Sequence, residues 1–146
     1  MDNADDIAAV IALAHAMHAE SNFRDLTFCP ETFARRLAGY MQQDFKLAAV
    51  AESDDGHIIG GVLGTAARSD FGPDFIAMDG GIYVAPTRRG AWAGKILVHF
   101  YTAWAQSVGA KRICIDVKTG VNPERTAQLL EHCGYQVIGS CLVYQE

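Results

Sequence analysis

Residues 78–109 read MDGGIYVAPTRRGAWAGKILVHFYTAWAQSVG, and the pattern within them decides the fold. Ile82, Tyr83 and Val84 form an apolar run that stops at Ala85-Pro86. A basic turn carrying Arg88, Arg89 and Gly90 follows, and a helix-period pattern begins at once. Ala93, Leu97, Phe100, Trp104 and Val108 recur at spacings of three and four, which predicts one helical face packed on a sheet. The chemistry lies in the turn. Arg88 and Arg89 bring positive charge, Gly90 and Gly94 let backbone approach a ligand, and the first N–H groups of a helix lack intrahelical acceptors. Those donors and the helix dipole favour a phosphate or pyrophosphate. A solvated helix start would show the same residues, so this segment alone leaves both readings open.

Working outward, Phe45 to Glu52 and His57 to Ala67 read as strands joined by Ser53-Asp54-Asp55-Gly56, whose Asp-Gly suits a tight hairpin. After a second turn, Arg68 to Asp74, the strand Phe75 to Val84 closes an antiparallel meander. Asp79, Gly80 and Gly81 fall in its middle, where glycine marks a bulge or a close backbone approach. Beyond the central helix, Ile113 to Val117 is a short apolar strand, and the strand-helix-strand order predicts a parallel pair with a crossover. Asn122-Pro123-Glu124 offers an N-cap, a first-turn proline and a first-turn acid for a helix running to about Cys133, burying Leu129 and Leu130. Gly134 ends it, and Tyr135 to Gln145 reads as a final strand. At the other end, Asp5 and Asp6 precede the helical pattern Ile7, Val10, Ile11, Ala14 and Met17. Glu20 to Asp25 is a polar loop, and Cys29-Pro30-Glu31 opens a second helix with Phe33, Leu37 and Tyr40 on one side.

The 146 residues fit one domain, 1–146, with half of them hydrophobic and a fifth charged. A net charge of −5 argues against nucleic acid as the main partner. No apolar stretch approaches the roughly 20 residues of a membrane span, and the acidic start lacks the positive region of a signal peptide, so a cytoplasmic location is expected. The four cysteines contain no C-x-x-C pair, and His15 and His18 lack an evident third ligand, so no metal is expected.

Tyr83-Val84-Ala85-Pro86, then Arg88 to Gly94, then Ile96-Leu97, resembles the acyl-CoA-binding signature of the GNAT N-acetyltransferase superfamily. That signature runs Arg or Gln, two residues, Gly, one residue, Gly or Ala. Arg89 takes its first position and Gly94 its last, while Trp92 stands at the first glycine. Asn122 through Tyr135 is similar to the family's second cofactor motif, matching at Asn122, Gly134 and Tyr135, with Leu130 in the slot where many members keep a tyrosine as general acid. The resemblance implies an α+β fold: a mostly antiparallel mixed sheet with a parallel, splayed strand pair and about four helices.

It also implies acetyl transfer from acetyl-CoA to an amine by direct attack in a ternary complex. The cofactor-binding residues would be Tyr83, Val84, Arg88, Arg89, Gly90, Ala91, Trp92, Ala93, Gly94, Lys95 and Asn122. A backbone N–H near Val84 would stabilise the thioester oxygen, and Asp79 is the candidate base. The departing thiolate would take its proton from Tyr144 or Tyr83, or leave unassisted. The loop between the first two helices walls the acceptor site in the family, which makes Glu20, Ser21, Phe23 and Arg24 the substrate-side candidates. Trp92 and Leu130 also motivate a non-catalytic acyl-CoA-binding module as the alternative. A sheet without the family's outer strands leaves edges that invite pairing, so a homodimer is expected.

Overall fold

A computed structural model of the chain describes residues 4–89 and 92–145. Gly90 and Ala91, both expected at the cofactor, lie outside the described residues. Chain order is α1 (Ala4–Glu20), α2 (Pro30–Gln42), β1 (Lys46–Glu52), β2 (Ile58–Arg68), β3 (Phe75–Val84), a 3₁₀ turn (Pro86–Arg88), α3 (Ala93–Ser107), β4 (Ala110–Cys114) and α4 (Pro123–His132). The strands form one sheet in the order β1-β2-β3-β4. β1, β2 and β3 pair antiparallel, and β4 joins β3 in parallel after the α3 crossover.

Alternation along β2 sends successive side chains to opposite faces, and the core divides accordingly. Val62 packs with Ala77, Leu97 and Tyr101 under α3. Its neighbour Leu63 packs with Val10, Leu37 and Tyr40 under α1 and α2. Gly64 lets α3 lie close to the sheet, since a Cβ there would stand 2.9 Å from the rings of both Tyr101 and Trp104.

Three sequence expectations need correction. The buried stripe of α3 is Ala93, Leu97, Val98, Tyr101 and Ala105, and Phe100 is 53% exposed. Spacings of three and four fit two stripes one residue apart, and the tyrosine stripe wins because its hydroxyl is satisfied when buried: Tyr101 Oη donates to the Cys114 carbonyl at 2.8 Å. β4 lies about one turn of chain earlier than the apolar run Ile113 to Val117, because only Phe75 to Met78 of β3 are available to pair with it. Finally, Tyr135 to Gln145 forms no strand. Tyr135 is held by a 2.7 Å hydrogen bond between its hydroxyl and Thr102 Oγ1 on α3, and the chain beyond it leaves Val137, Ile138, Leu142 and Val143 exposed. A β-prone run makes a strand only where a ladder receives it, and none does so among the described residues.

Candidate active site

β3 and β4 part company. Their pairing stops at Met78 and Cys114, while β3 continues to Val84. The cause is a bulge: Leu63 faces Gly81 and Gly64 faces Asp79, which leaves Gly80 without a partner on β2. Gly81 has φ +130°, a conformation few side chains adopt, and a Cβ on Gly80 would come within 2.5 Å of Tyr40 Oη. Past the bulge, the Asp116 N–H donates at 2.8 Å to Asp79 Oδ1 instead of to a β3 carbonyl. A side chain thus wedges the strands apart.

The resulting cleft has a volume of about 630 Å³. Ala85 N–H donates to Ile59 O at 2.8 Å, so Ala85 and, two residues back, Tyr83 bond toward β2. The alternation of an antiparallel ladder then turns the N–H and C=O groups of Val84 and Ile82 outward, to the side β4 has vacated. The Val84 carbonyl is taken by Arg89 Nε at 3.1 Å. By the same alternation the Val84 N–H is directed to the opening.

Arg89 does more than carry charge. Nη1 donates to Glu20 Oε2 at 3.1 Å, Nη2 donates to Glu20 Oε1, and the guanidinium carbon stands 5.1 Å from the centre of the Tyr83 ring. The guanidinium holds the Glu20 carboxyl below its ordinary range. Tyr83 Oη is buried without a hydrogen-bond partner, and burial, reinforced by Glu20, pushes its pKa up to about 12. Asp79 shows the same desolvation: burial raises its pKa, offset in part by the Asp116 N–H.

The remaining candidates separate by position. Arg88, Gly94, Asn122 and Phe23 line the cleft with Tyr83, Val84, Arg89 and Asp79. Gly94 allows α4 in, as a Cβ there would meet Leu129 Cδ2 at 3.3 Å. Asn122 precedes α4 with φ +43° and makes no side-chain cap, so its amide is left to the cleft. Trp92 is 48% exposed and outside the lining, so the indole does not plug the hollow. Ala93 is a core residue, Lys95 is exposed on the outer side of α3, and neither lines the cleft.

On the acceptor side, Ser21 is fully buried, with its hydroxyl donating to His18 O at 3.0 Å and accepting from the Phe23 N–H at 3.1 Å. It closes the end of α1. Arg24 is exposed and away from the cleft. Glu20 reaches Arg89 as described. Tyr144 lies on the tail, 85% exposed, and does not line the cleft.

Sequence reasoning passed over Arg36, Asp116, Lys118 and Arg125, all of which line the cleft. Arg36 donates to the Gly80 carbonyl at 3.2 Å, and Lys118 pairs with Asp116 at 2.8 Å. The signal for Arg36 was a cation three residues after Phe33 and four before Tyr40, on the apolar side of its helix.

No curated protein matches the chain in sequence. Solved structures do match in fold. A transcriptional regulator from Bacillus halodurans C-125 superposes with TM-score 0.78 at 15% identity, covering 99% of this chain and 95% of that one. A ribosomal-protein-alanine N-acetyltransferase from Brucella melitensis biovar Abortus 2308 gives 0.70 at 18% identity, with 97% and 94% covered. AAC(6')-Iy in complex with the bisubstrate analogue CoA-S-monomethyl-acetylneamine gives 0.74 at 16% identity, with 99% and 93% covered. The acetyltransferase (GNAT) family matches in sequence over residues 14–135. With that match across most of its length, and the splayed strands and glycine bulge in place, the chain belongs to the acetyltransferase (GNAT) family and is an N-acetyltransferase.

Proposed function

We propose that the donor is acetyl-CoA, held between β3 and β4, and that a small primary amine attacks it directly. The unpaired edge of β3 carries this reading: it offers outward N–H groups at Ile82 and Val84 beside a cleft long enough for an extended arm. Arg88 and Arg125 supply cations for phosphates, together with the unsatisfied N–H groups at the start of α3, and Asn122 lies on the far wall. Bound acetyl-CoA supplies an activated acyl carbon whose oxygen gains charge as the amine adds.

The chain's own residues fit the three tasks this creates. The Val84 N–H stabilises the oxygen. Asp79, desolvated at the bulge, receives the amine proton directly or through water. Tyr83, whose ring lines the cleft, donates its hydroxyl proton to the departing sulfur, a task for which the Leu130 side chain has no proton to offer. Phe23 lines the acceptor end of the cleft, with Glu20 tied behind it to Arg89 and Ser21 fixing the turn that presents both. Arg24 lies outside this assignment.

Two further proposals accompany this reading. The uncovered outer edge of β4 and the apolar tail favour a homodimer in which each copy's tail pairs with the other's sheet. Dependence on acetyl-CoA favours the cytoplasm. The test is calorimetry with acetyl-CoA followed by thiol release over an amine panel. Binding with turnover on at least one amine is expected. Binding without any turnover would favour a non-catalytic acyl-CoA module, for which Leu130 is the motive, and no binding would overturn the reading altogether.

A further inference from the structure

Behind the bulge lies a second space that the transfer of an acetyl group does not use. It has a volume of about 70 Å³ and sits between the sheet and the helices α1 and α2. Leu13, Ala14, Leu37 and Leu63 are among its walls. Its doorway is shared with the large cleft: Met17, Arg36, Gly80, Gly81 and Tyr83 line both, and the Arg36 guanidinium is held to one side by donating to the Gly80 carbonyl at 3.2 Å and Tyr40 Oη at 3.3 Å. The doorway is open because of the glycines. A Cβ on Gly81 would stand in contact with the terminal methyl of Met17, at 3.9 Å, and a larger side chain there would narrow the doorway. Met17 is itself unbranched and re-forms easily around a guest.

The space is apolar and several times the ~10–15 Å³ that one water molecule requires, yet it offers few polar groups to hold water. An unfilled apolar void in a core this small is unfavourable, because its lining lacks contacts on one side. An apolar guest arriving through the cleft would restore them. The cleft runs past the bulge, since Gly80 and Gly81 line it together with Asp79, Tyr83 and Val84.

We propose that this chamber receives the tail of a short acyl chain, so that the site which holds acetyl-CoA binds thioesters of about four to six carbons more tightly than acetyl-CoA itself. The inference rests on the acyl-CoA reading above and adds the class of acyl group. The carbonyl stays at the bulge, the added methylenes pass Met17 between Gly81 and Tyr83, and the far end meets Ala14 and Leu37.

The experiment is calorimetry with CoA, acetyl-CoA, butanoyl-CoA, hexanoyl-CoA and decanoyl-CoA, which needs no knowledge of the acceptor. Butanoyl-CoA is expected to bind about fifteenfold tighter than acetyl-CoA, since each of its two added methylenes contributes a factor of roughly four when buried, and decanoyl-CoA is expected to lose the advantage. Ala14→Leu fills the chamber and should bring the butanoyl-to-acetyl affinity ratio near one. Leu13→Ala enlarges it and should move the optimum to a longer chain, which keeps the test decisive if the overpacked variant does not fold. Acetyl-CoA binding as tight as or tighter than butanoyl-CoA in the unmodified protein overturns the chamber and leaves the transferase reading intact. No binding of any of the five ligands overturns both.

Discussion

Glu20, the last residue of α1, and Arg89, the residue after the 3₁₀ turn, join across the mouth of the cleft through two hydrogen bonds. Arg89 spends its Nε on the Val84 carbonyl and lies over the Tyr83 ring, so its guanidinium links the first helix to the end of β3. A neighbouring link lies on the other side of the splay, where the Asn22 N–H donates at 2.7 Å to Thr119 O. The acceptor-side loop is therefore tied to both arms of the open strand pair. In sequence, Arg88 and Arg89 are equivalent charges. In space, Arg89 is a strut, and Arg88 lines the cleft.

That difference predicts opposite phenotypes. Arg89→Ala should lower stability by about 1–3 kcal/mol, because it strands a partly buried carboxylate, and so lower Tm by several degrees. Arg88→Ala should leave Tm nearly unchanged and weaken acetyl-CoA binding, with a smaller loss at high salt as the screened phosphate contact contributes less. Thermal melts and calorimetry at two ionic strengths check both. Equal Tm losses in the two variants would contradict the division of labour.

The same pair sets an acid limb. Arg89 holds the folded pKa of Glu20 below its ordinary 4.5, so its contribution is fully present above about pH 4.5 and fades as pH falls through the lower folded value. Glu20→Gln should flatten that part of the stability curve. Melts of the two proteins should differ at neutral pH and approach each other as pH falls below 4.5.

Much of this was legible in the chain, and the rest hid for identifiable reasons. Asp54-Asp55-Gly56 fixed the hairpin, and Gly134 fixed the end of α4, because a local backbone requirement picks out a residue type. Gly80 and Gly81 announced a bulge for the same reason. The partner of Arg89 did not show, since Glu20 is 69 residues away and nothing local selects it. Asp79 was identified as a carboxylate beside the cleft, but its hold on the Asp116 N–H depends on where β4 stops, which a register and not a composition decides. The tail failed for a third reason: its apolar residues promise a strand, but β-propensity does not fix which edge a run pairs with, and residues 135–145 join neither free edge of the sheet.

The tail gives its own prediction. Leu142 is 91% exposed within an apolar stretch, so Leu142→Asp removes little from one copy's core. If tails pair between copies, the variant should shift from dimer to monomer in light scattering at micromolar concentration, with a modest change in Tm. A monomeric unmodified protein would remove the basis for this pairing.

Tyr83 separates catalysis from stability. Its hydroxyl makes no short hydrogen bond but lies beside Glu20 and Arg89, so Tyr83→Phe should change stability by no more than about 1 kcal/mol. If the hydroxyl protonates the departing sulfur, kcat should fall while acetyl-CoA affinity holds. Poor leaving groups should suffer most: the loss should be smaller with an acyl donor whose thiol is more acidic than that of CoA. A uniform loss across donors would instead point to a packing role for the ring.

Asp79 carries the sharpest test because its two effects oppose each other. Burial raises its folded pKa above the ordinary 3.8, so the ionised form is disfavoured in the fold. Stability is therefore withdrawn as pH rises from 3.8 through the folded value, and the full cost is present at neutral pH. Asp79→Asn removes that charge and keeps an oxygen that accepts from the Asp116 N–H, so the variant should melt higher than the unmodified protein at pH 7 and equally near pH 3, about one unit below the unfolded pKa. Activity should move the other way, falling by about 10²–10⁴-fold if the carboxylate takes the amine proton. In the unmodified protein the acid limb of kcat/KM should lie above the usual carboxylate range, and it should vanish from the residual activity of the variant. A higher Tm with undiminished turnover would make Asp79 only the wedge between β3 and β4 and would pass the role of base to another group in the cleft.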